Sequence, residues 1–174
     1  MSKNTKQNFI AEILYGAKNQ KILKEKEERN KLLNELGDNL SPKQILYSSI
    51  DELKQIKGGI DAFRQNYHDI KEANTKNADK YFHAKANCQA SQYGEKGADI
   101  ARKLSNLRED TDLQKNKYKK KKDGTKMTPS EIMEDYRKDH SANMYGRLQG
   151  LKNKEDDCRI LVDKYRPKGL SSKY

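Results

Sequence analysis

Between Ala73 and Asn87 the chain reads ANTKNADKYFHAKAN, crowding aromatic, acidic, amide and imidazole groups into a sequence otherwise rich in Lys, Glu, Asn and Leu. On a helix, Asp79, His83 and Asn87 stand four residues apart and line one polar row, beside a row of Ala78, Phe82 and Ala86 turned to the core. Such a pair of rows can hold functional groups rigid at the edge of a cleft. His83 is the imidazole within the motif and suits general acid/base work, with Asp79 to orient it. Glu109, within Arg108-Glu109-Asp110, is the best carboxylate for proton transfer if a helical wall raises its pKa. Asp139, Asn143 and Arg147, again four residues apart, could bind substrate or stabilise charge, and Arg147 suits a phosphate or a carboxylate. Asn87 and Tyr81 complete the candidate substrate-binding set. A plainer explanation stands beside each role. Helical charge pairing accounts for both rows, and Asn74, Asn87, Asn143 and Arg147 are types that a fold-fixing buried network uses.

The elements that must position these residues read as helices. Val occurs once, Pro three times and Trp not at all, and no stretch alternates convincingly, which argues for an all-α chain. The expected architecture is a compact bundle of five to seven helices with a long N-terminal helix. That first helix spans about 7–36 and stops at Gly37. Ser41-Pro42-Lys43-Gln44 marks a second start, with Leu46, Tyr47, Ile50, Leu53 and Ile56 inward and Gly58-Gly59 as the stop. A short helix over 60–72 follows, bearing Ile60, Phe63, Tyr67 and Ile70. The chemistry-bearing helix spans about 77–92. Another runs from Gly97 to about 116, with Ile100, Leu104 and Leu107 inward. The lysine-rich stretch Lys117–Lys126 reads as a loop around an Asp123-Gly124 turn. Thr128-Pro129-Ser130-Glu131 caps a further helix with Ile132, Met133, Tyr136 and Met144 on its apolar side, and a last helix covers about 153–165. The division expected is an N-terminal helical segment, 1–60, for carrier or partner docking or packed on the core, and a helical domain, 61–174.

With 36% charged residues, 33% hydrophobic residues and a net charge of +11, the chain favours an anionic substrate or surface. No run approaches a transmembrane segment. Glu12 interrupts the N-terminal apolar residues, and no small-residue cleavage site follows, so no signal peptide is expected. Cys88 and Cys158 lack metal-ligand spacing, so no metal is assigned, and no cofactor is specified. Two free thiols of a cytoplasmic protein are the plain expectation. One long-range disulfide is the alternative, and it implies an oxidising destination.

Ala73-Asn74-Thr75, Ala78 to His83, Ala86-Asn87-Cys88, Ser105, Arg108-Glu109, Asp139, Ala142-Asn143, Gly146-Arg147, Cys158, Arg166-Pro167 and Gly169-Leu170 together form a pattern over about 73–170. It resembles the C-terminal tips of Rhs-repeat polymorphic toxins, antibacterial effectors often delivered by type VI secretion. The pattern departs from expectation where Ala84 follows His83 in place of a Cys and where a second C-terminal Cys is missing. If that family carries two disulfides, this chain keeps only Cys88–Cys158. The chain opens on Met without Rhs repeats, which implies a stand-alone cargo or a domain whose first helix engages a carrier or chaperone. An immunity protein is the other implied partner. The implied function is a secreted toxin without a signal peptide, a hydrolase acting in the target-cell envelope on peptidoglycan or a lipid-linked precursor. A glycosidase of this kind needs Glu109 near Asp79 or Asp139, at roughly 5 to 9.5 Å. The alternatives are a basic nuclease using His83 with or without a metal and a non-enzymatic helical adaptor or binding protein. Burial of His83 and Glu109 with their polar atoms satisfied favours the last, and an open cleft favours catalysis.

Overall fold

A computed structural model describes residues 3–41, 43, 47–118 and 124–174, with side chains from Lys18 onward except Asp38. The described residues hold helix and no strand, so the all-α expectation is met. The helices are α1 (Lys3–Leu36), α2 (Ile50–Ala73), α3 (Asp79–Gln92), α4 (Glu95–Asn116), α5 (Pro129–Lys152) and α6 (Cys158–Leu161), with short 3-10 turns at Gly37–Asn39 and Asp163–Tyr165. Contacts divide the chain into Met1–Lys54 and Gln55–Tyr174, so the boundary falls inside α2. In the first unit Leu32, Leu36, Leu40 and Leu53 are buried, and Lys54 pairs with Glu28 at 2.6 Å.

Three boundaries differ from the sequence expectation. Pro42, Gln44, Ile45 and Leu46 lie outside the described residues, but the helical start further on comes from Ser49 and Glu52. The Ser49 backbone N–H donates to Glu52 Oε2 at 3.0 Å, and the Glu52 N–H donates to Ser49 Oγ at 3.2 Å, a reciprocal capping box. Gly58-Gly59 does not stop the helix, which runs on to Ala73. The two glycines serve close packing instead: a Cβ at Gly58 would strike the Tyr93 ring, and one at Gly59 would press on the Gly97 backbone. Near the C-terminus, the expected helix over 153–165 shrinks to α6, which Asp157 caps by accepting from the Arg159 N–H.

The second unit is organised around α3, which is buried over most of its circumference although it carries Lys, His and Asn. Polar groups survive at such a position only with partners close by. Asn74 and Asn77 adopt left-handed backbone conformations, φ 41° and 61°, in the turn that leads into α3; Asn tolerates this better than most residues. Asn74 therefore shapes a turn rather than joining a network. α5 crosses α3 through Ala142, Gly146 and Gly150, three small residues on successive turns. A Cβ at Gly146 or Gly150 would collide with the carbonyl oxygen of Ala84 or Cys88. This ridge displaces the expected apolar face of α5: Ile132 is buried, whereas Met133 and Met144 are exposed. Tyr47, Tyr67 and Leu107, also expected inward, are exposed too.

The chain after α6 folds back on α3. Tyr81 Oη donates to the Tyr174 backbone oxygen at 2.6 Å, Arg166 donates to the same oxygen at 3.2 Å, and Phe82 meets the Tyr174 ring edge-on. Cys88 and Cys158 are joined in a disulfide across 70 residues, which corrects the expectation of free thiols. Closing a loop of this size removes about 4 kcal/mol of unfolded-state entropy in the chain-entropy treatment. The double variant Cys88→Ala, Cys158→Ala is therefore expected to unfold at a clearly lower denaturant concentration than the oxidised protein. Equal midpoints in guanidinium would contradict this.

Candidate functional site

Three helices bring the motif residues together. α3 contributes Lys80, His83 and Asn87, α4 contributes Ser105 and Glu109, and α5 contributes Asp135, Asp139, Asn143 and Arg147. His83 Nδ1 lies 3.0 Å from Glu109 Oε1, and Asn143 Nδ2 donates to that same oxygen at 2.9 Å. Asn143 Oδ1 accepts from Asn87 Nδ2 at 2.7 Å. Asn87 Oδ1 accepts from Arg147 Nη1 at 2.7 Å and from Ser105 Oγ at 3.2 Å. Each helix thus supplies a member of one connected chain of hydrogen bonds, in which Asn87 and Asn143 use both donor and acceptor ends. Glu109 and Asn143 are 2% and 1% exposed, and Asn87 is fully buried.

Beside this chain sits a charged cluster. Lys80 Nζ lies 3.0 Å from Asp139, 3.2 Å from Asp135 and 3.4 Å from Asp79. Burial disfavours the Lys80 ammonium, but the hydrogen bond and charge of Asp139, aided by Asp79 and Asp135, outweigh it and raise its pKa. Burial pushes the Asp139 carboxyl up, an effect that His83 and Lys80 offset only in part. At Glu109 burial acts in the same upward direction, yet the hydrogen bond and charge of His83 prevail and hold the carboxyl below its ordinary value. The expectation that a helical wall would raise Glu109 is thereby reversed, because the wall carries an imidazole. Burial also lowers the Arg147 pKa.

Of the candidate catalytic residues, His83 and Glu109 meet directly. Asp79 does not orient His83; it sits on the first turn of α3 beside Lys80. Of the candidate binding residues, Asn87, Asn143 and Arg147 join the hydrogen-bond chain and Asp139 holds Lys80. Tyr81 lies elsewhere, in the core against the C-terminal tail, where burial raises its hydroxyl pKa. Sequence reasoning passed over Lys80 and Lys85, although both lie inside the ANTKNADKYFHAKAN stretch. Lys85 forms a buried pair with Asp69 at 3.0 Å, and Gln65 donates to the other Asp69 oxygen at 2.7 Å. A lysine beside buried alanines on a helix surrounded by others was the available signal.

His83, Glu109 and Asp139 are buried. The geometry defines an all-helical protein whose polar motif ties its own helices together. The serum amyloid A protein family matches residues 50–174, and the chain belongs to that family. Serum amyloid A-2 protein of Neovison vison is 36% identical over 128 residues, covering 74% of this chain and 84% of that protein. Serum amyloid A protein of Notamacropus eugenii is 36% identical over 129 residues, 74% and 84% of the two chains. That of Bos taurus is 38% identical over 118 residues, 68% and 78%.

This membership overturns the resemblance to Rhs toxin tips. The words that carried it, over about 73–170, fall within the matched 50–174. The antibacterial effector, the envelope hydrolase and type VI delivery fall with it. The relatives are serum proteins by name, which supports a secreted protein. An effector acting in a target-cell envelope has no such support.

Proposed function

We propose that this chain is a secreted, non-enzymatic binding protein that attaches to anionic phospholipid surfaces through the outer face of α5. The observation carrying this reading is a line of exposed apolar side chains. Met133, Met144, Leu148 and Leu151 fall within about 60° of one another around the helix, by its 100° step per residue, and are 40%, 62%, 48% and 39% exposed. The opposite side of α5 is occupied by Ala142, Gly146 and Gly150, so the large residues have nowhere to go but outward. Met144, Leu148 and Leu151 are neighbours on successive turns, with Met133 three turns earlier, and an exposed apolar patch of this kind on a folded helix marks an interaction surface. Arg137 and Lys152 accompany it, and the net charge of +11 favours an anionic partner. No described helix is long and apolar enough to cross a membrane, so attachment is at the surface. The burial of His83 and Glu109 supports the non-enzymatic half of the proposal, although His83 Nε2 has no hydrogen-bond partner.

Co-sedimentation with phosphatidylcholine vesicles, with and without phosphatidylserine, tests it. Seating Met144, Leu148 and Leu151 in the interface at about 1 kcal/mol each, a partial share of full burial, makes the triple serine variant about a hundredfold weaker. Binding should also strengthen with phosphatidylserine content. Unchanged binding by the triple variant, with native helicity, would reject this surface.

A further inference from the structure

One nitrogen in the buried cluster is left over after its polar contacts are counted. His83 Nε2 is buried without a hydrogen-bond partner, whereas Asp139 Oδ1 is held only by Lys80 Nζ at 3.0 Å. His83 and Asp139 are themselves 7% and 9% exposed. An orphaned polar atom in an interior is costly, and a structural network alone does not explain an imidazole buried beside two carboxylates in this way. One ligand atom from each of His83, Glu109 and Asp139 lies within 4.8 Å of the other two. We infer that these three residues form a binding site for a single divalent transition-metal ion of the zinc class.

The chemistry fits that class better than the alternatives. Zinc takes imidazole nitrogen and carboxylate oxygen at roughly 2.0 to 2.2 Å, which places ligand atoms about 3.4 Å apart in a tetrahedron. The three side chains therefore need to close by little more than about 1 Å. Calcium requires six to eight oxygens, and the cluster offers two carboxylates and a nitrogen. The remaining groups suit the support of metal ligands: Asn143 fixes Glu109 by its 2.9 Å hydrogen bond, and Lys80 fixes Asp139 from the outside. Four carboxylates, those of Glu109, Asp139, Asp135 and Asp79, surround the Lys80 ammonium and His83, and a cation between Glu109 and Asp139 relieves their repulsion. The three ligands come from α3, α4 and α5, so the ion would clamp the three helices that the hydrogen-bond chain already joins.

The test uses the full-length, disulfide-bonded protein after treatment with a chelator. Zn²⁺ is titrated by calorimetry, and Co²⁺ is followed by the visible absorption of a tetrahedral site. The expected result is one ion per chain. Asp139→Asn and Glu109→Gln keep side-chain shape and, with helicity checked, are expected to weaken binding at least tenfold. His68→Gln, in the more exposed His68, Asp69 and Glu72 group on α2, is the control and should bind as wild type does. Absence of binding by the wild type overturns the inference whether or not any variant folds. Binding that Asp139→Asn leaves intact, or that His68→Gln abolishes, overturns it equally.

Discussion

Replacing Gly146 with alanine is expected to destabilise the protein by about 2 kcal/mol, lowering its melting temperature by roughly 8 °C. The sign is what makes this informative. In an open helix interior, glycine to alanine is worth about 1 kcal/mol in favour of alanine. At Gly146 the new methyl group would meet the carbonyl oxygen of Ala84, a backbone atom of a buried helix that cannot swing aside. Either α5 moves away from α3, opening a gap along Ala142 and Gly150, or the clash remains. Both cost more than the propensity returns. Thermal unfolding followed by circular dichroism decides the matter, and a variant as stable as the wild type would show that α5 does not lie this close to α3.

Glu109→Ala carries the second large effect, about 3 to 5 kcal/mol, the range for removing one partner from a buried charged pair. Asn143 would lose the acceptor at 2.9 Å and His83 the carboxylate at 3.0 Å, and both are buried. Glu109→Gln keeps an acceptor for Asn143 and is expected to cost less than half as much. Guanidinium unfolding of the two variants reads the difference. Equal, small losses from both would mean that the network contributes little to the fold.

The helical class was legible in the chain because Leu, Ile and Tyr recur at helical spacing and valine is nearly absent. The Thr128 to Glu131 capping box was legible for the same local reason, and the structure shows both of its hydrogen bonds. Which face of each helix turns inward was harder to read. Met133, Met144 and Leu107 are large and apolar, and a periodicity argument sends them to the core. The fold instead buries Ala142, Gly146 and Gly150, because contact between backbones excludes bulk. Gly58-Gly59 misled for a related reason: local chemistry reads a glycine pair as a stop, whereas tertiary packing uses it for close approach. Within the site, the four-residue spacing correctly placed His83 with Asn87 and Asn143 with Arg147. It could not show that α4 would insert Glu109 between the two rows and leave Asp79 with Lys80. Helical spacing carries no information about which helices become neighbours.

Binding through the outer face of α5, with the motif residues interior, can be read directly from fluorescence. The chain contains no tryptophan, so Leu148→Trp introduces a single reporter on the stripe and Glu95→Trp introduces one at the exposed start of α4. On adding phosphatidylserine-containing vesicles, the emission of the Leu148→Trp protein is expected to shift to the blue as the ring leaves water, while that of the Glu95→Trp protein stays in place. No shift at position 148, or an equal shift at both, would contradict binding through this face.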